Sequence, residues 1–208
     1  AGLACWKGGS APWYLDRLRD SYGDVPVLDY GYCASEGIFG APLSTDGASS
    51  VLLPHGHFVE LAPVDAIDDV RRGQASTLLL HEAEVGRRYF VIATTGAGLY
   101  RYEMNDVVLV TGKHENAPLV VFLHKGGAMS SLTGEKISEA HVVNAMARAS
   151  RSIEIAAKGF VVAPVLPEGD GAPRYVLALD VDDHVAAFDA ERLRAIAEKF
   201  DEALRSEN

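Results

Sequence analysis

The chain has 208 residues, 48% of them hydrophobic and 23% charged, with 19 Lys and Arg against 29 Asp and Glu for a net charge of -10. That balance is ordinary for a globular protein with a proper core, and a negative sum without a basic run excludes a binder of duplex phosphates. The two cysteines, Cys5 and Cys33, are too few for a disulfide framework or a four-cysteine zinc site, so reduced thiols in a cytoplasmic protein are expected.

No apolar run has the length that spans a bilayer, and the opening AGLACWKGGSAPWY lacks the charged start and apolar middle of a secretory signal. It reads as the inside of a domain. Pro12 to Arg19 carries a short helical pattern with Tyr14 and Leu18 on one face. Val25 to Tyr30 follows as a short strand, its proline placed near the start where a missing N–H is tolerated. GYCASEGIFGAPL is a glycine-punctuated loop, at the kind of strand-to-loop junction where open α/β sheets place ligands.

The middle of the chain is β-rich. Ser50–Leu53, Phe58–Leu61, Ser76–His81, Tyr89–Thr94, Val107–Thr111 and Leu119–Leu123 all read as strands, and their shortness predicts a small barrel or a curved antiparallel sheet. Near Lys125 the composition changes. KGGAMSSLTGEK is small and polar, as a hinge would be. Beyond it the pattern is helix, strand, strand, helix: a helix capped by Ser138 with Val142, Val143, Met146 and Ala147 at helical spacing, β candidates at Ile153–Ala156 and Phe160–Leu166, a PEGDGAP turn, a strand at Tyr175–Val181, and a last helix capped by Asp189 with Leu193, Ile196, Ala197, Phe200 and Leu204 on one face.

Two stretches carry candidate chemistry. In YCASE, the Tyr32 ring can stack on a flat heterocycle, Ser35 can hydrogen-bond it or a phosphate, and Glu36 offers a hard oxygen suited to Mg²⁺. In TTGAGLYRYEMNDVVLV, Gly96 and Gly98 permit a tight path, Tyr100 and Tyr102 alternate with Arg101, and Asp106 has two acceptor oxygens for neighbouring hydroxyls such as a ribose diol. Taken alone, each also reads as ordinary structure: a packed tyrosine with a solvated glutamate, and a β-turn aspartate closing a hairpin. Other signals fail. Cys33 stands where a nucleophile elbow needs its first glycine, which disfavours a serine hydrolase. GAG at 96–98 is not a dinucleotide fingerprint, no Walker A loop is present, and His55 and His57 have no nearby third ligand.

In order, WKGGSAPWYLDRLRDSYGDVPVLDYGYCASEG, TTGAGLYRYEMNDVVLVTG and SLTGEKISEAHV resemble the acyl acid–amido synthetase family, the auxin-responsive-promoter (Gretchen Hagen) group of adenylate-forming enzymes. The resemblance implies a mixed α+β chain in the broad α/β class: the end of a large adenylate-forming domain with its barrel or curved sheet at 1–124, a hinge at 125–136, and a small α+β domain at 137–208. It implies a ligase that uses ATP and Mg²⁺ to activate a small carboxylic acid as acyl-AMP and passes the acyl group to an amine or amino acid. Tyr32, Ser35 and Glu36 match a Y-x-x-S-E block bordering adenine and the metal–phosphate region. Asp106 matches the acid that takes the ribose hydroxyls, and Lys136 in the G-E-K block is the catalytic cation. Lys125 is a hinge candidate beside the nucleotide. Neither a nucleic-acid nor a membrane partner is expected, and the oligomeric state is open. Asn105 departs from the family's usual glycine, and Glu103 adds negative charge. The Ser/Thr/Gly phosphate loop of the family is not in these residues, so a fragment is expected. The alternative is a catalytically inactive binding module on the same scaffold.

Overall fold

The computed structural model describes residues 2–127, 129–130, 137–153, 157–166, 172–181 and 190–207. They form two compact units, residues 1–127 and 128–208. The division falls inside the stretch read as a hinge.

The first unit begins with a βαβ arrangement. Strand β1 (Leu3–Cys5) lies parallel to β2 (Val27–Asp29), with Cys5 opposite Asp29, and helix α1 (Pro12–Tyr22) connects them. Proline at the first helical position removes one of the N–H groups that a helix start leaves unpaired. The helix runs three residues past its expected end and stops at Gly23, whose N–H returns to the Arg19 carbonyl at 2.8 Å and whose φ of 74° suits only glycine well. The following stretch is more ordered than the loop expected. Cys33–Ala34 (β3) and Gly37–Ile38 (β4) pair antiparallel, leaving Ser35 and Glu36 as a two-residue turn.

A seven-stranded sheet dominates the unit. Its order is β5 (Gly40–Pro42), β6 (Ser50–Leu52), β11 (Ala117–Lys125), β10 (Tyr102–His114), β9 (Arg88–Thr94), β7 (Phe58–Pro63) and β8 (Leu78–Leu79). Each pairing in it is antiparallel. The sheet is open at β5 and β8, so it takes the sheet form of the two alternatives rather than the barrel. Its central strands outrun their apolar stretches because ladder hydrogen bonding continues through polar residues such as Lys113 and His114. At the edge the reverse occurs. Ser76–His81 shrinks to β8, and the chain then turns through Leu80–Glu82, where the Glu82 carboxylate accepts the Leu79 N–H at 2.6 Å.

Both sheet faces are covered. One packs Tyr32, Phe39, Leu52, Leu61, Tyr89 and Val108 into the main core. On the other, Ile67 of the short helix α2 (Ile67–Arg71) joins Ala62, Phe90, Ile92 and Val107. Burying such side chains contributes about 1.5–3 kcal/mol each. This two-sided demand explains why β9 reads as a nearly continuous apolar run.

The second unit has β12 (Met129–Ser130) paired with β13 (Ile137–Ser138), then α3 (Glu139–Ile153), an antiparallel pair β14 (Ala157–Val165) and β15 (Arg174–Val181), and α4 (Ala190–Glu207). Ser138 does cap α3, accepting the His141 N–H at 3.3 Å. The buried stripe of α3 is Ala145, Met146 and Ala149, slightly rotated from the one expected. In α4, Ile196, Phe200, Ala203 and Leu204 are buried, whereas Leu193 and Ala197 are exposed. The strand expected at Ile153–Ala156 is corrected at its first residue, which ends α3. Its remaining residues, most of the PEGDGAP turn, the Asp189 cap and Lys136 lie outside the described residues. Among the described residues no helix is long and apolar enough to cross a membrane.

Candidate functional site

The site is built around an irregularity in β10. Its pairing with β9 runs Glu103 opposite Ile92, then Val107 opposite Phe90, so four steps on β10 match two on β9. Asn105 within the bulge takes a left-handed φ of 56°, which Asn adopts with less strain than most residues. Bulges re-aim side chains, and here Asp106 is 2% exposed, at the end of the face that also carries Met104 and Val108.

A buried carboxylate needs partners, and Asp106 has two. The Tyr32 hydroxyl donates to its Oδ2 at 2.8 Å, across 74 positions of sequence. Lys125 stands opposite Asp106 on β11 and brings its Nζ to 2.5 Å from Oδ1. The same Nζ donates to the Met104 carbonyl at 3.2 Å. The contact with Oδ1 is an ion pair without hydrogen-bond alignment, so among the described residues Oδ1 has no hydrogen-bond donor. Burial, then the charge of Asp106 and its hydrogen bond, then the charge of Glu36, push ionisation of the Tyr32 phenol far above its usual range.

The β3–β4 turn sets the second side of the site. Glu36 is half-buried and near enough for its charge to act on Tyr32, while Ser35 is exposed. The hairpin rests on His57. A side chain at Gly37 would meet the His57 Nε2 at 2.5 Å, and the imidazole packs on Phe39 with ring centroids 4.9 Å apart. Lys125 leads directly to the unit boundary. Gly126 N donates to the Asn105 carbonyl at 2.5 Å, and a Cβ at Gly126 would overlap the edge of the Phe90 ring at Cε1.

The negative charge expected from Glu103 is compensated. Arg71 donates to both its oxygens, at 3.0 Å from Nε and 2.5 Å from Nη2, and lies 5.5 Å from the centre of the Phe90 ring. This fork-to-carboxylate geometry is the strong form of the pair. A second pair on the same cross-strand row, two strands away, joins Arg101 to the buried Glu60 at 3.1 Å, with Thr77 donating to the same carboxylate.

Tyr32, Asp106 and Lys125 are thus in direct contact, and Glu36 borders them. Sequence reasoning placed Lys125 at the hinge beside the nucleotide and missed its pairing with Asp106. It also missed Arg71 and Glu60, and weighed His57 only as a metal ligand rather than as packing for the hairpin. The register of β10 with β11 carries the first signal, since an acid and a base opposite one another on adjacent strands attract. The other three have no short-range signature. A hollow of about 550 Å³ lies elsewhere in the unit, between β1 and α1, lined by Cys5, Trp6, Tyr14 and Leu18 among others. Among the described residues no three His, Cys, Asp or Glu side chains group as a metal centre. Glu36 therefore stands as a single carboxylate, which suits an ion that takes its other ligands from phosphates and water.

Residues 50–125 match the model of the GH3 family central domain. Among curated proteins, the chain is 31% identical over 147 residues to an indole-3-acetic acid-amido synthetase of Arabidopsis thaliana, covering 69% of this chain and 25% of that protein. It is 34% identical over 147 residues to another indole-3-acetic acid-amido synthetase, from Oryza sativa subsp. indica, covering 68% and 24%. The chain spans about a quarter of the length of these relatives. A solved acyl acid amido synthetase, GH3.15, superposes with a TM-score of 0.82 at 20% identity, over 97% of this chain and 36% of the other. That match shows a shared fold.

Proposed function

We propose that this chain, a member of the GH3 family, supplies the nucleoside-binding part of an ATP-dependent ligase that activates a carboxylic acid as its acyl adenylate and conjugates it to an amine or amino acid. The observation that supports this most is the meeting of Tyr32 and Asp106 at 2.8 Å from two motif blocks. A buried carboxylate whose Oδ1 is engaged only by the Lys125 ammonium has an oxygen that a ribose hydroxyl could take over from that cation. Tyr32 orients that carboxylate and would flank the base. Lys125 balances its charge when no sugar is present. Glu36 would hold Mg²⁺, which neutralises phosphate charge when bound. Lys136 is the cation that would act on the phosphates by resemblance.

The inactive-scaffold alternative was motivated by Asn105 and Glu103. Asn105 sustains the left-handed bulge, and Glu103 is neutralised by Arg71, so both departures are accommodated locally. A titration of the chain with AMP, followed by NMR, tests the reading. Shifts should concentrate at Tyr32, Glu36 and Asp106, and Asp106→Ala should abolish them. A folded chain whose resonances at these positions ignore AMP would return the inactive-module reading.

A further inference from the structure

Asp29 closes β2, is 7% exposed, and has no part in the site as described. Its two oxygens hold two backbone donors: Lys7 N reaches Oδ2 at 2.8 Å and Gly31 N reaches Oδ1 at 2.7 Å. One carboxylate therefore ties the exit of β1 to the exit of β2. Gly31 is the residue that sets the direction of Tyr32. Its φ is 93°, and a side chain there would meet the Gly40 carbonyl at 2.5 Å, so neither its conformation nor its surroundings admit another residue. Immediately after it, the Tyr32 carbonyl accepts the Phe39 and Gly40 N–H groups at 2.9 and 3.0 Å. From this clamped turn the Tyr32 ring extends so that its hydroxyl donates to Asp106 Oδ2 at 2.8 Å.

We propose that Asp29 is a positioning residue for the nucleoside site, holding Gly31 so that the Tyr32 hydroxyl meets Asp106. The role rests on the nucleotide reading above only for its functional consequence. The geometry itself stands apart from that reading. Charge-assisted acceptance of two N–H groups is roughly twice as strong as a neutral contact. Asn at this position conserves the volume but aims an amide N–H₂ at one of the two backbone donors, setting donor against donor.

The test is ¹³Cζ-tyrosine NMR of the chain, with Tyr32→Phe assigning the signal. In Asp29→Asn the Tyr32 signal is expected to move toward that of exposed tyrosines and to titrate near the ordinary phenol value of about 10. The Tyr89 signal should stay in place, because that buried hydroxyl accepts the Glu84 N–H at 2.9 Å away from the turn. AMP affinity should fall about tenfold. An Asp29→Asn chain whose Tyr32 and Tyr89 signals both match the wild type would overturn the proposal. Should Tyr89 also move, showing wider loss of structure, amide exchange in the wild type decides. Slow exchange at Lys7 and Gly31 supports the clamp, and exchange at the rate of exposed loops overturns it. Absence of AMP binding in the wild type would count against the nucleotide reading alone, since the Tyr32 response is read without ligand.

Discussion

Asp106 shows how a single buried charge organises its surroundings. Removing a carboxylate from water is costly, and the cost is offset here by a phenol on one oxygen and an ammonium on the other. Because the ionisation of Tyr32 is raised, the folded state holds a proton that the unfolded state releases above pH of about 10. This contribution is complete below that pH and is lost as pH rises beyond it, by about 1.4 kcal/mol per pH unit. Tyr32→Phe should remove that slope, so the difference in denaturant midpoint between the two proteins should depend on pH only in the alkaline range. A difference that stays constant from pH 8 to 11 would contradict the assignment. Asp106→Asn leaves Lys125 without its counter-charge and weakens the acceptor. If Asp106 holds a nucleoside, AMP affinity should fall by about 10- to 150-fold, the equivalent of losing one hydrogen bond to a charged group, as measured by titration.

Among the secondary elements, the site depends on two local deviations from regular pairing. The β10 bulge turns Asp106 into the core, and the β3–β4 hairpin carries Ser35 and Glu36 at its turn. Each is held by a contact that a methyl group would break. Gly37→Ala would drive into the His57 imidazole and should lower stability by about 1–3 kcal/mol. Adding His57→Ala should recover part of that loss in thermal unfolding, because it removes the obstructing ring. Two additive losses would show that the ring is not the obstacle. Gly126→Ala has no such escape, since its Cβ would overlap the Phe90 ring and crowd the Asn105 side chain. It should lower the melting temperature and disturb the Asp106–Lys125 pair together. In the second unit, Met146→Ala should cost about 2–5 kcal/mol, because Met146 is fully buried in the stripe of α3.

For the molecule as a whole, the relevant fact is that about a quarter of the relatives' length is present. The 208 residues contain the Tyr32–Asp106–Lys125 cluster proposed to hold a nucleoside, but no Walker A loop of the kind that cradles phosphates. The purified chain is therefore expected to release no pyrophosphate when given ATP and carboxylic acids, while still responding to AMP. Acid-dependent pyrophosphate release from it would show that the chemistry needs no such loop.

The order of apolar and polar residues by itself determined the long strands of the large sheet and the two long helices of the second unit, but not the short strands β1, β3, β4 and β5 or the helix α2. β9 and β11 announce themselves by continuous apolar runs, α3 and α4 by their period, and Ser138 by its place before a helix. The quoted motif blocks also picked out Tyr32, Glu36 and Asp106, because rings, acids and glycines cluster there. Only the tertiary structure decided that Lys125 pairs with Asp106, that Arg71 cancels Glu103, that Asp29 accepts the Lys7 N–H, and that His57 stands against the hairpin at Gly37. Those relations cross many positions of chain and depend on strand register and on a bulge. Short-range composition encodes neither, because register is settled by the summed packing of whole strands.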